Sequence, residues 1–148
     1  MNVEQYLTSY DSSNLSYKFQ SVGPNGIINK VVLFKKMNIR NRNFYTLSLG
    51  DWDETNGNID YYAVSNNSDT SKVLFTVGQT ELEFVSHYQN AHILIVGSTM
   101  ARTRLYQMAI AQNFEEIDKL FEIEGFINGQ WGKFKTGINF EGFLISLK

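Results

Sequence analysis

Apolar and polar residues alternate over Phe44-Tyr45-Thr46-Leu47-Ser48-Leu49, the period of a strand with one buried face. Tyr17 to Val22 and Ile27 to Met37 read as two earlier strands. Gly23-Pro24-Asn25-Gly26 between them is a strong turn signal, so the pair is expected to form a hairpin. Asn38 to Asn43 reads as a polar loop and Gly50 to Asn58 as an acidic one, followed by a fourth strand over Ile59 to Val64. Residues 1–16 are polar, with Tyr6 and Tyr10 as their large anchors, and are expected to fray or to drape over the core.

The period then changes. Ser65-Asn66-Asn67-Ser68-Asp69 is a cluster of turn and cap residues, and Val73, Leu74, Val77, Phe84, Val85 and Tyr88 follow at helical spacing. Gly78 weakens that helix by roughly 1 kcal/mol relative to alanine. Ile93 to Val96 is a short apolar run bounded by turn residues and reads as a central strand. Thr99 to about Gln112 is predicted as a second helix, with Ala101, Leu105, Met108 and Ala109 facing inward. Phe114 to Phe121 either continues it or forms a short third helix. Phe121 to Phe126, Gly132 to Thr136 and Phe140 to Leu147 read as closing strands, with Asn128-Gly129 as a hairpin turn. The expected fold is α+β, a mostly antiparallel sheet of order β-β-β-β-α-β-α-β-β with two helices packed on it. The chain shows no repeat, low-complexity tract or linker, so residues 1–148 are expected to form a single domain.

Composition narrows the class. With 148 residues, 43% of them hydrophobic, the chain can bury its own core. Eleven Phe, eight Tyr and two Trp favour strands. The formal net charge of −2 supplies no field to attract nucleic acid or an anionic membrane. Lys35, Lys36, Arg40 and Arg42 do cluster, but a charged strand end explains them equally well. The absence of cysteine removes disulfides, thiolate metal sites and thiol nucleophiles. No signal-peptide pattern opens the chain and no apolar run approaches membrane-spanning length, so a cytoplasmic location is expected.

The sharpest candidate site is His92 to Met108. A strand runs through Gly97-Ser98-Thr99 into a helix whose opening carries Arg102 and Arg104. Free backbone amides at a helix start accept anions, while the helix dipole disfavours cations there. Something negative is therefore expected close by. It is either a ligand held by Gly97, Ser98, Thr99, Arg102 and Arg104, or a carboxylate of the chain such as Asp51, Asp53 or Asp60. Arg102 and Tyr106 stack at i, i+4, whereas Arg104 falls on another side. Asn66 and Asn67 form a second candidate, because five consecutive polar residues exceed what one helix cap needs and this turn also joins a strand to a helix. The carboxylates of Asp51, Asp53 and Glu54 form a third, although they do not match a calcium loop. His87 and His92 do not suggest a ligand pair, and no metal or cofactor is expected. No Gly-x-Ser-x-Gly, Walker or Gly-x-Gly-x-x-Gly motif occurs.

Several stretches carry a resemblance: Gly23-Pro24-Asn25-Gly26, Leu49-Gly50-Asp51-Trp52-Asp53, Val64-Ser65-Asn66-Asn67, Lys72 to Val77, Gly97 to Tyr106, and Asn139 to Leu144. Through them the chain resembles a family of small uncharacterised bacterial proteins, a domain of unknown function common in Bacteroidota. That resemblance implies no activity, cofactor or substrate. At the level of fold alone the order of elements is also similar to the general N-acetyltransferase fold, with Ala101 to Tyr106 in the second helix. The glycine-rich pyrophosphate loop expected before Val73 is missing, and Asn66-Asn67-Ser68-Asp69-Thr70 stands in its place.

The sequence therefore leans away from an enzyme, with no assignable catalytic residue. It points to a cytoplasmic binding or interaction module that takes a small anionic ligand or a protein partner. The alternatives are an N-acetyltransferase-like enzyme and a subunit of a small complex using Trp52, Trp131 and the tyrosines as contact surface. Membrane and nucleic acid are not expected as partners, and the sequence leaves the oligomeric state open.

Overall fold

Gly26 takes φ +89, a left-handed value that side-chain-bearing residues avoid, and so Gly23↔Gly26 closes the first hairpin tightly. The computed structural model describes residues 5–39, 42–63 and 66–148. Arg40 of the basic cluster, Asn41 of the polar loop, and Val64 and Ser65 of the strand end and cap run lie outside the described residues, as does the start of the N-terminal segment.

The elements in order are β1 (Ser9–Tyr10), β2 (Ser16–Gly23), β3 (Gly26–Ile39), β4 (Arg42–Asp53), β5 (Asn58–Asp60), α1 (Thr70–His87), β6 (His92–Ile95), α2 (Met100–Gln112), α3 (Phe114–Leu120), β7 (Phe121–Ile127), β8 (Gln130–Lys133) and β9 (Gly142–Leu147). This is the expected α+β class, with strand pairing that is antiparallel in every described case but one. Several boundaries differ from the sequence reading: β3 runs to Ile39 and β4 starts at Arg42, inside the expected Asn38–Asn43 loop, β8 spans Gln130–Lys133 where Gly132 to Thr136 was expected, and β9 begins at Gly142 rather than Phe140. Strand β4 runs on through Gly50 to Asp53, where an acidic loop was expected, and β5 is only three residues long. The cause is pairing: Asp51↔Asp60, Trp52↔Ile59 and Asp53↔Asn58 extend the ladder across residues whose polarity alone reads as loop.

The chain packs into two compact units, one taking the chain up to Phe34 together with Ser48–His87, the other Lys35–Leu47 with Tyr88–Lys148. In the first, β2 and β3 turn Tyr17, Phe19, Val32 and Phe34 into the core, joined by Val73, Val77, Phe84 and Val85 from α1. Phe34 stacks on Phe84 at 4.2 Å and meets the edge of Tyr17 at 5.7 Å. Thr76 and Thr80 are also buried, and their hydroxyls donate to the carbonyls of Lys72 and Val77, so burial leaves neither unpaired.

In the second unit the ladder runs β4-β6-β9-β7-β8. The exception to antiparallel pairing lies here: Phe44–Leu47 run parallel to His92–Ile95. Strand β9 separates β6 from β7 and pairs with both. Its Phe143 packs with Phe134 and Phe140, and a Cβ on Gly125 would stand 2.3 Å from the Phe140 ring. The Asn128-Gly129 turn is present, with both residues at positive φ as a type I′ turn requires.

Helix α2 corrects one expectation. Its buried residues are Thr103, Tyr106 and Ile110, not Ala101, Leu105 and Met108, and Leu105 is 39% and Met108 56% exposed. Apolar residues occur on both sides of this helix, so period alone cannot choose its inner face. The choice falls to tertiary packing: Thr103 buries its hydroxyl by bonding Gly97 and Thr99, and Tyr106 and Ile110 follow on the same stripe.

Candidate functional site at the start of helix α2

Gly97 brings the exit of β6 against the helix, since a Cβ there would stand 2.4 Å from the backbone nitrogen of Thr103. Its own N–H donates to Thr103 Oγ1 at 2.9 Å. Thr99 is the N-cap, with extended backbone (φ −135, ψ 162), and its hydroxyl accepts from the Arg102 amide at 3.1 Å. Thr99 also accepts at its carbonyl from the Thr103 amide at 3.0 Å. Among the described residues no hydrogen bond is made to the amides of Met100 or Ala101, both of which are exposed. The first turn carries no acidic residue.

The six residues expected here thus share one unit, but not one role. Gly97, Thr99 and Thr103 build the turn, and Ser98 is half-buried within it. Arg102 is half-buried and Arg104 exposed, in keeping with their different sides of the helix. Tyr106 is 7% exposed and belongs to the core stripe.

Asn66 and Asn67 belong to the other unit, and their surroundings are specific. Asn66 and Ser68 take positive φ (44 and 57), which bends the chain around the buried Asn67. The Asn67 amide donates to Ser21 Oγ at 3.0 Å and to the Gly26 carbonyl at 2.9 Å, and its oxygen accepts from the Asn25 amide at 2.7 Å. Asp69 Oδ2 accepts from Ser21 Oγ at 2.5 Å and from the Tyr6 hydroxyl at 2.6 Å. Partial burial and the Asp69 hydrogen bond raise the Tyr6 pKa. The Tyr6 amide donates to Thr76 Oγ1, and Lys72 Nζ lies 4.1 Å from the Tyr6 ring centroid. The polar run ties the first hairpin and the N-terminal segment to the start of α1. The partners Tyr6 and Ser21 stand 63 and 48 positions from Asp69, beyond the reach of any local sequence signal.

The acidic stretch divides in the same way. Asp51 Oδ1 lies 2.6 Å from Nζ of Lys30, a lysine only 5% exposed. Asp53 closes a turn, accepting from the amides of Thr55 and Asn56 and from Asn56 Nδ2. Among the described residues no three His, Asp or Glu gather where they can hold a metal ion.

Fold and site together define a small α+β protein with a polar helix start. The chain belongs to a family of unknown function, DUF6934, whose model matches residues 2–148. Comparison with curated proteins and with solved structures found no match.

Proposed function

We propose that the protein is a non-catalytic binding module in which the start of α2 accepts an anion, carried by a small ligand or by a protein partner. One observation carries this reading: the first turn offers the amides of Met100 and Ala101, unbonded among the described residues, together with Arg102, and no acidic residue in that turn. The resemblance to bacterial proteins and the absence of cysteine support a bacterial, cytoplasmic setting as part of the same proposal. Inorganic phosphate should raise the melting temperature progressively through linkage. Arg102→Gln should remove that rise. A drop in the unliganded variant, with no phosphate response in the wild type, would show instead that Arg102 serves the protein's own structure.

A second reading, an N-acetyltransferase-like enzyme, is favoured by the parallel β4·β6 pair followed in the ladder by β9 and then β7. This is topology only. Against it stands Asp69, a carboxylate at the start of α1 engaged by Tyr6 and Ser21 where that fold expects a phosphate-cradling loop. A saturable rise in melting temperature with acetyl-coenzyme A would reverse the order of the two readings.

A further inference from the structure

A groove of about 820 Å3 lies in the first unit, between the N-terminal segment and the β2–β3 hairpin, with Trp52 and Lys72 on its walls. That volume suits a ligand of nucleotide size. Its charge is one-sided: Lys18, Lys30 and Lys72 line it, and no Asp or Glu does so among the described residues. Lys30 is neutralised by Asp51, and Lys72 lies over the Tyr6 ring. Lys18 is exposed and makes no ion pair among the described residues. In a chain of net charge −2, such a groove favours an anion.

The walls add a second demand. Trp52 is 41% exposed, a large apolar surface left open to solvent, and the Tyr6 ring stacks on Phe19 at 5.7 Å with an interplanar angle of 19°. Flat apolar surface beside lysines suits a planar ring that carries negative charge. A third feature is polar. Gln20 Nε2 donates to Asn29 Oδ1 at 3.1 Å across the β2–β3 pair, leaving the Gln20 carbonyl oxygen and the Asn29 amide to meet the edge of such a ring.

We infer that this groove binds a nucleoside phosphate, with its phosphates at Lys18 and its base near Trp52. The groove shares no residue with the start of α2, and this inference does not rest on that reading. The test uses the full chain carrying Trp131→Phe, so that Trp52 is the sole indole, titrated with ATP, adenosine and inorganic phosphate. ATP should quench Trp52 saturably, with adenosine and phosphate each at least about tenfold weaker, the size of one lost charged hydrogen bond. Lys18→Gln, a change at an exposed side chain, should weaken ATP about tenfold by the same reckoning, and Arg102→Gln should leave it unchanged. Absence of quenching by ATP, or quenching indifferent to Lys18→Gln, would overturn the inference. Phosphate binding as tightly as ATP would overturn the nucleoside part. A phosphate response lost in Arg102→Gln and kept in Lys18→Gln would belong to α2 alone.

Discussion

Gly23 and Asn67 meet so closely that a Cβ on Gly23 would stand 2.0 Å from the Asn67 carbonyl oxygen. The obstacle is backbone, which cannot swing aside as a flexible side chain would. Gly23→Ala should therefore open the hairpin against the Asn66–Asp69 bend. A loss of about 2–4 kcal/mol in urea unfolding is expected, in the range of other backbone and packing conflicts. Asn67→Ala, which removes three hydrogen bonds from a buried side chain, should cost a similar amount. Wild-type midpoints for both would show that the contact contributes little.

Lys30 and Asp51 form a largely enclosed ion pair, with side chains 6% and 17% exposed. Lys30→Met alone leaves Asp51 without its partner and should cost about 3 kcal/mol. Adding Asp51→Leu should recover much of that loss, because an apolar pair avoids desolvating two charges. A double-mutant cycle with strictly additive losses would contradict this account.

The inner face of α2 is tested by two truncations. Ile110→Ala should cost about 2–5 kcal/mol as a buried apolar residue. Leu105→Ala should cost under about 1 kcal/mol, because the side chain is already in contact with water. Thermal or urea unfolding of the pair decides the matter, and equal losses would return the helix to the face its sequence suggested.

Glu81 lies in α1 without a hydrogen bond or ion pair among the described residues, and burial pushes its carboxyl up to about 8. The folded protein then holds this proton more tightly than the unfolded chain does. The stability so contributed is full below the ordinary carboxyl value near 4.5 and is lost as pH rises through about 8. The side chain keeps some contact with solvent, which moderates the size of the effect. Glu81→Gln should flatten this decline and stabilise the protein at and above neutral pH. A melting profile that declines identically in the variant would place the cause elsewhere.

Legibility in the sequence followed the range of the forces involved. The first hairpin, α1 and the Asn128-Gly129 turn were readable because each is written in neighbouring residues: a turn motif, a helical period, a pair suited to positive φ. The continuation of β4 through Asp51 was not, since ladder partners in β5 decide it. The face of α2 was ambiguous for the same reason. At the candidate site the cap by Thr99 and the tight turn at Gly97 were visible locally. The engagement of Asn67 with Ser21, of Asp69 with Tyr6, and of Asp51 with Lys30 joins residues 46, 63 and 21 positions apart, and no spacing in the chain announces it. The groove beside Trp52 was missed entirely. The clue available was Lys18 and Lys30, each set in an apolar-rich strand.

Strand β9 also sets a schedule for synthesis. Residues 92–95 and 121–127 emerge from the ribosome before residues 142–147, yet β9 is the strand that hydrogen-bonds to both of their segments. Until it arrives, each of those strands presents an edge to whatever else is nearby, and exposed edges recruit foreign strands. Slower translation between residues 127 and 142 would lengthen that interval. Aggregation during expression should therefore respond to codon choice in this stretch even when the purified protein is unchanged.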